Sequence, residues 1–314
     1  MSPLSSVASS LMGAAWELRR RGHAAGWLKS RRVPARVVSI GNLTVGGTGK
    51  TTLALHLAQR APALGWNVAV VCLEYHPGPS GRGDEALLFE AALGAERVFS
   101  GRSKALEAAR AASAGHDLIL VDDGFSHWRL ERDLDLVLMD ARDPWGGGAL
   151  LPAGRMREPR RALQRAGVVV VSRARDATEA ERLLTEIKPY APAARLAAGR
   201  HRVVAVRGDN GNVAAAGPAR VVTATGNPEA VAASAREAGF DPVTLSAYRD
   251  HHWFSEPEAR REIEAARGAT LVLTAKDAVR WPVGIRGHVV LEVAWEWLLG
   301  GDEVERLALS RESR

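Results

Sequence analysis

Thr44-Val45-Gly46-Gly47-Thr48-Gly49-Lys50-Thr51-Thr52 is the stretch on which the reading of this chain turns. The apolar string Val37-Val38-Ser39-Ile40 precedes it, and Leu53-Ala54-Leu55-His56-Leu57-Ala58 follows with helical spacing. Strand, glycine-rich loop and helix form the setting in which a backbone wraps a phosphate. The glycines let successive N–H groups curl around an anion, and the helix N-terminus adds partial positive charge. Residues 44–52 are therefore the candidate nucleoside triphosphate site, with Lys50 reaching the terminal phosphates and Thr51 holding Mg²⁺. The common form of this loop begins with glycine where this chain has Thr44, so the match is incomplete. A glycine-rich turn with a chance Lys-Thr pair is the alternative.

Working outward, the 314 residues suffice for one large α/β domain or two smaller ones, and the 46% apolar content is ordinary for a globular protein. The net charge of +6 and sequence pI of about 10.0 point to an anionic partner, although an Arg- and Ala-favouring genome accounts for part of the bias. The single cysteine, Cys72, excludes an internal disulfide and lies in an apolar run that reads as a buried strand. No run of 18 apolar residues exists, so no span is expected, and the start lacks the pattern of a signal peptide.

Residues 1–30 read as a basic amphipathic helix. Leu4, Val7, Ala8, Leu11, Met12, Ala15 and Trp16 recur at three- and four-residue steps, and Arg19, Arg20, Arg21 and Lys29 follow. With Trp16 and Trp27, this composition fits a helix lying in an anionic membrane interface. A helix packed on the protein's own core is the alternative.

Residues 31–197 alternate short apolar runs (37–40, 68–73, 118–121, 134–139 and 168–171) with helix-like segments at 53–64, 84–93 and 103–114. That pattern predicts a parallel sheet covered by helices, with ligands at the carboxyl ends of the strands. One such end is Val121-Asp122-Asp123-Gly124-Phe125. A carboxylate there serves a phosphate loop's Mg²⁺, and consecutive carboxylates point to opposite sides of an extended strand. One can face the metal and the other an acceptor hydroxyl, unless one merely caps the turn. Leu151-Pro152-Ala153-Gly154-Arg155-Met156-Arg157-Glu158-Pro159-Arg160-Arg161 is a loop whose arginines suit a phosphorylated ligand or a solvated helix start equally well.

Residues 198–220 read as a ribbon linker with a turn at Gly208-Asp209-Asn210-Gly211. Residues 221–314 alternate strands (221–224, 243–245, 271–274, 289–291) with helices (228–238, 257–266), giving a smaller α/β domain. A cleft between two such domains is a natural acceptor site. Asp250-His251-His252 is open to three readings: metal ligands, a carboxylate orienting an imidazole, or a structural cap. Lys276-Asp277 is either a nucleotide clamp or a surface ion pair.

Taken together, Ser39-Ile40-Gly41-Asn42-Leu43-Thr44 with its loop, Asp122-Asp123-Gly124-Phe125-Ser126-His127, Leu151 through Pro159, Gly226-Asn227-Pro228, Asp250-His251-His252 and Thr274-Ala275-Lys276-Asp277 resemble the tetraacyldisaccharide 4'-kinase family. The resemblance spans nearly the whole chain, and Thr44 matches that family's own loop. It implies a P-loop kinase-like fold and transfer of the ATP γ-phosphate, with Mg²⁺, to the 4'-hydroxyl of a lipid A precursor disaccharide 1-phosphate. It also implies a peripheral seat on the cytoplasmic face of the inner membrane. By position, Asp123 becomes the base with His251 as its partner, Asp122 falls on the Mg²⁺ side with Thr51, and Asn42, His127, Arg155 and Arg157 face the acceptor. Gly83-Asp84-Glu85 and Asp140 are also family-like. Three positions depart: Glu74, in Leu73-Glu74-Tyr75-His76-Pro77-Gly78, stands where the family has arginine, Ser126 replaces glutamine, and Ala275 replaces glutamate. Glu74 puts a phosphate contact in doubt, for which Arg82 or Arg102 can substitute, and the three changes together suggest a divergent member.

The competing function is a P-loop switch ATPase at a membrane. Such proteins carry lysine where Val45 stands and lack the Asp-Asp-Gly-Phe and Leu-Pro-Ala-Gly strings. Nucleic-acid binding has no reading helix or stacking motif to support it. A monomer is the expected state.

Overall fold

The computed structural model describes residues 3–74, 77–209 and 211–311. Tyr75, His76 and Asn210, which belong to two of the stretches read above, lie outside the described residues.

In chain order the elements are α1 (Pro3–Ala24), β1 (Arg36–Asn42), α2 (Lys50–Arg60), β2 (Val68–Leu73), α3 (Asp84–Leu93), β3 (Val98–Gly101), α4 (Lys104–Ser113), β4 (Leu118–Asp122), β5 (Leu134–Asp140), β6 (Val168–Ser172) and α5 (Ala177–Ile187). Then come β7 (Arg195–Gly208), β8 (Gly211–Asn212), β9 (Ala219–Thr223), α6 (Pro228–Ala238), β10 (Val243–Ala247), α7 (Glu256–Ala265), β11 (Thr270–Thr274), α8 (Ala275–Ala278), β12 (Val289–Leu299) and α9 (Gly301–Leu309). The chain divides into two compact units. The first comprises residues 1–73, 93–200 and 295–314, and the second residues 74–92 and 201–294.

In the first unit the strand order is β7-β6-β5-β1-β4-β2-β3, and every neighbouring pair is parallel. Strands β1, β2, β4, β5 and β6 are buried along nearly their whole length, which is why they read as apolar runs without alternation. Cys72 is buried in β2 and free. The register sets Ile40 of β1 beside Asp122 of β4, so the loop after β1 and the carboxylates after β4 emerge side by side. Gly41 is required at that junction: a Cβ there would come within 2.4 Å of the Phe125 Cβ. The short edge strand β3 is too short to show a period, whereas α5 and α9 carry clear apolar faces (Ala180, Leu183, Leu184, Ile187 and Val304, Ala308, Leu309) that the reading above leaves out.

In the second unit β10, β9, β11 and β12 are parallel, and β7 turns back on β8 through Arg207 opposite Asn212. Its core joins Val221, Phe240, Val272 and Leu291 on one side of the sheet to Val222, Phe254, Leu273 and Trp281 on the other. This division differs from the boundaries expected at 197/198 and 220/221. Residues 74–92, expected in the kinase domain, belong with the second unit, where Gly78 lies so close to the Trp253 indole that a Cβ would meet it at 2.4 Å. Residues 295–314 return to the first unit, where Glu305 accepts from His56 and the Trp66 indole donates to the Leu309 carbonyl.

Helix α1 presents two different faces. Trp16 is 7% exposed and donates from Nε1 to Glu158 at 2.7 Å, while Ser9 Oγ bonds the Leu150 carbonyl. On the opposite side Val7, Leu11 and Leu18 are 60%, 67% and 70% exposed, and Trp27 beyond the helix is 82% exposed. One face packs on the protein and the other leaves an apolar stripe uncovered. No helix among the described residues is long and apolar enough to cross a membrane.

Candidate functional site

In the first unit the loop after β1 ends in Gly49 at φ 92°, which caps α2 with no side chain on its first amides. The initial N–H groups of a helix have no intrahelical partner, so they and the helix dipole are open to an anion. Thr48 Oγ1 is buried and has no hydrogen-bond partner, as is Asn42 Oδ1. Such orphans cost about 1–3 kcal/mol each unless a ligand satisfies them. Asn42 itself is buried in β1, and its Nδ2 donates to the Thr44 carbonyl at 2.6 Å. Through Nδ2 it braces the loop, while its Oδ1 is without a hydrogen-bond partner.

The segment around Pro152 locks the loop from outside. Val45 N donates to Arg155 O at 2.8 Å, Arg157 N donates to Leu43 O at 2.7 Å, and Thr44 bridges Met156. The Arg155 side chain turns outward to Asp143 at 2.6 Å. Arg157 turns inward, its Nη1 bonding Asp123 Oδ2 at 2.6 Å. Of the two arginines expected at the acceptor, only Arg157 therefore faces the carboxylate cluster.

Asp123 is the focus of positive charge. Lys50 Nζ lies 3.7 Å from its Oδ1, and Lys104 donates to its main-chain carbonyl at 2.6 Å. Burial works to raise its pKa, but Lys50, Lys104 and Arg157 outweigh that and hold the carboxyl well below the usual range. Its backbone is left-handed, φ 51°, an uncommon state for a side chain larger than glycine. Asp123 thus sits among the cations that the motif reserves for phosphate. Asp122 lies differently: its Oδ2 is 3.3 Å from Thr51 Oγ1, and its Oδ1 accepts from the Asp123 amide. A hydroxyl and a carboxylate converging from loop and strand end are hard oxygen donors that fit Mg²⁺. Among the described residues no set of three His, Cys, Asp or Glu could hold a metal unaided. Mg²⁺ takes one or two protein oxygens and completes its shell with phosphate and water.

Lys104 and Arg173 were not singled out in the sequence. Arg173, left-handed at φ 61°, pairs with Asp140 beside Gly47. Neither has a motif, because each reaches the loop from a different element through the fold.

His127, also expected at the acceptor, is half-buried with Nε2 unpartnered. Burial, followed by Lys104 and Arg132, lowers its pKa to about 4. The folded protein therefore binds fewer protons at this ring than the unfolded chain between pH about 6.5 and 4, and stability falls as pH drops through that window. His127→Gln is expected to flatten this part of a urea-derived stability profile; an unchanged slope would mean that another group titrates there.

The second unit carries its own cluster. His251 Nδ1 meets Asp84 Oδ2 at 2.9 Å, and Asp84 also faces Arg280 Nη1 at 3.5 Å and Lys276 Nζ at 3.6 Å. Asp277 holds Arg280 at 2.7 Å, takes the Ala224 amide at 2.8 Å and receives the Thr274 hydroxyl at 2.6 Å. Asp84, Asp277 and Arg280 are almost fully buried, so Lys276-Asp277 is no surface ion pair. Burial works to raise the Asp84 pKa, but the His251 hydrogen bond and the Lys276 and Arg280 charges bring it down to about 2. His251 has φ 62°, a strained state for histidine. Within this unit the carboxylate that orients His251 is Asp84. Glu74 accepts from Arg82 at 3.0 Å and from the Gly83 amide, anchoring the turn that leads to Asp84.

Three comparisons bear on this geometry. The tetraacyldisaccharide-1-P 4'-kinase (LpxK) family pattern matches residues 1–305. A tetraacyldisaccharide 4'-kinase of Anaeromyxobacter sp. (strain Fw109-5) is 37% identical over 87% of this chain and 81% of its own length. One of Syntrophobacter fumaroxidans is 34% identical over 91% of this chain and 82% of its own length. A crystal structure of Aquifex aeolicus LpxK in complex with ATP covers 95% of each chain with a TM-score of 0.72 at 21% identity, a likeness of fold.

Proposed function

This chain belongs to the tetraacyldisaccharide-1-P 4'-kinase family, and we propose that it transfers the γ-phosphate of ATP to the 4'-hydroxyl of a lipid A precursor disaccharide 1-phosphate. The observation that carries this reading is the loop with its buried orphan Thr48 Oγ1, flanked by Lys50 and by the Thr51–Asp122 oxygen pair. Thr51 and Asp122 would hold Mg²⁺, which would supply positive charge against that developing on the transferred phosphoryl group. Lys50 and Arg157, preset on Asp123, exchange that carboxylate for phosphate oxygens at little reorganisation cost. Asp123 then acts as a counter-ion that keeps the cations in position.

The proton-accepting role falls to the Asp84–His251 pair. With Nδ1–H donating to Asp84, Nε2, which lies 3.9 Å from Asp250 Oδ2, is the ring atom that takes the hydroxyl proton. Buried Asp84 stabilises the imidazolium that forms, while Lys276 and Arg280 hold Asp84 ionised. Incubation with γ-labelled ATP and tetraacyldisaccharide 1-phosphate is expected to label the lipid. ATP hydrolysis with no labelled lipid would favour the switch-ATPase reading instead.

The exposed stripe of α1, followed by Trp27, Leu28 and several arginines, supports a peripheral seat on an anionic membrane, at the cytoplasmic face of the inner membrane where ATP is available. Leu11→Ser combined with Leu18→Ser is expected to weaken binding to phosphatidylglycerol vesicles by about tenfold or more, since each fully buried leucine contributes about 1.5–3 kcal/mol. ATP affinity serves as the control; undiminished vesicle binding would assign the stripe elsewhere.

A further inference from the structure

Neither follower of His251 in the chain, His252 or Trp253, has a part in the proton transfer above. Both are tied down within the second unit. His252 stacks on Tyr248, with ring centroids 5.0 Å and planes 24° apart, and Phe254 meets it edge-on at 5.3 Å. Its Nε2 lies 3.1 Å from Glu258 Oε2, the oxygen that also accepts the Ser255 amide and hydroxyl in the cap of α7. Tyr248 is fixed in turn. Its hydroxyl donates at 2.8 Å to Glu262, a buried residue of α7 that also takes Ser246 Oγ and Arg220 Nε. The His252 imidazole is thus held between a ring and a carboxylate that are both anchored on α7.

Trp253 is seated on a different segment. Its ring lies so close over Gly78 that a Cβ there would come within 2.4 Å of it. Gly78 opens a turn in which its amide donates to the Arg82 carbonyl and the Gly81 amide donates back to the Gly78 carbonyl, both at 2.9 Å. That turn runs through Gly83 into Asp84 at the start of α3. His252 and Trp253 therefore grip the two halves of the Asp84–His251 pair. The grip matters because His251 sits at φ 62°. It occupies the third position of a four-residue turn, closed by the His252 amide on the Arg249 carbonyl at 3.0 Å. A residue other than glycine keeps a left-handed backbone only where its surroundings over-determine it. The strand side of this turn is fixed by the Tyr248 amide on the Thr223 carbonyl at 2.8 Å, and the helix side by the clamped His252 ring.

We propose that His252 and Trp253 are positioning residues for the Asp84–His251 pair: His252 fastens the strained His251 backbone to α7, and Trp253 seats the turn that delivers Asp84. This rests on the kinase reading above and adds to it the groups that set the 2.9 Å contact between Nδ1 and the carboxylate. Both act through the pair, not on the substrate. Releasing either one lets the imidazole and carboxylate drift apart, and a misplacement of about 1 Å costs up to about 100-fold in rate.

The test uses three variants of the full chain. His252→Ala removes both the stack and the Glu258 contact, His252→Phe keeps a ring on Tyr248 and loses only the contact, and Trp253→Leu uncovers Gly78. Single-turnover transfer from γ-labelled ATP to tetraacyldisaccharide 1-phosphate is expected to slow about 10- to 100-fold in His252→Ala and Trp253→Leu, and less in His252→Phe, with ATP affinity held. A second readout needs no acceptor. The partner of a histidine nitrogen sets its tautomer, so long-range ¹H–¹⁵N correlations of ¹⁵N-histidine-labelled protein in mildly alkaline buffer should show His251 as the Nδ1–H form. His251→Gln assigns that signal. In the variants it should shift toward the Nε2–H form, in the same order as the rates. Wild-type rate and tautomer in His252→Ala and Trp253→Leu would overturn the proposal. So would a slow step with the tautomer intact, a defect confined to ATP affinity, or a wild-type ring without the Nδ1–H form. Should His252→Ala fail to fold, His252→Phe and Trp253→Leu decide by the same criteria. Tautomer shifts as expected with no lipid labelled by the wild type would refute the kinase reading and leave the brace standing.

Discussion

Replacing His251 by alanine is expected to lower kcat about 10²- to 10⁴-fold, the usual range for removal of a positioned general base. The ring is held in one orientation by Asp84 at 2.9 Å and by a backbone at φ 62° whose N–H bonds the Ala224 carbonyl. Alanine removes the Nε2 acceptor and leaves the Asp84 charge with Lys276 and Arg280. The loss belongs in the chemical step, so single-turnover rates should fall with kcat while ATP affinity holds. A defect confined to ATP affinity would end the dyad assignment. Asp84→Asn separates orientation from charge: its side-chain oxygen still accepts from Nδ1, but no charge balances the imidazolium. That variant should be less active than wild type and also less stable, because Arg280 and Lys276 lose a counter-ion. The sign follows from the lowered pKa. Asp84 stabilises the fold fully above pH about 4, and that contribution is lost as pH falls through about 2. The wild-type advantage over Asp84→Asn should therefore shrink in acid.

Lys50→Ala is expected to cost about 10²- to 10³-fold in kcat, comparable to deleting one preorganised donor from a developing oxyanion. Alanine suits the first turn of α2, so the helix should persist and the thermal midpoint should move by only a few degrees. Asp123 keeps Arg157 and Lys104 as partners, which preserves the local fold. Lys50→Arg should rescue poorly, since a planar fork does not replace a point charge in a loop shaped for an ammonium. Near-normal turnover in Lys50→Ala would remove the phosphate loop from the mechanism. The contrast with Asp123 is informative: as a counter-ion its loss should mainly raise the KM for ATP, whereas loss of a base would fall on the chemical step.

The N-terminus shows where pattern reading stopped. Steps of three and four residues join Trp16 to Val7 and Leu11 in one apolar series, but at about 100° per residue Trp16 falls on the face opposite Val7. In the fold Trp16 turns inward to Glu158 while Val7, Leu11 and Leu18 turn out. Periodicity identifies apolar positions, but when both sides of a helix carry them it cannot say which side meets protein. Glu74 is similar: its identity marked a departure from the family, and only the fold gave it work, holding Arg82 and the Gly83 amide.

By itself the sequence determined what is local. Strand, glycine loop and helix at residues 37–58 dictate a phosphate cradle, because backbone amides and a helix terminus create it within one turn of chain. Asp122 beside Thr51 follows almost as directly, since parallel pairing of β1 with β4 brings the two strand ends together. Tertiary structure decided what depends on distant side chains. It gave His251 to Asp84 across 167 residues of sequence, turned Asp123 toward Lys50 and Arg157, and withdrew Asn42 into the sheet. Charge pairing and burial act over a few ångströms of space, and no spacing rule along the chain records which groups the fold brings that close.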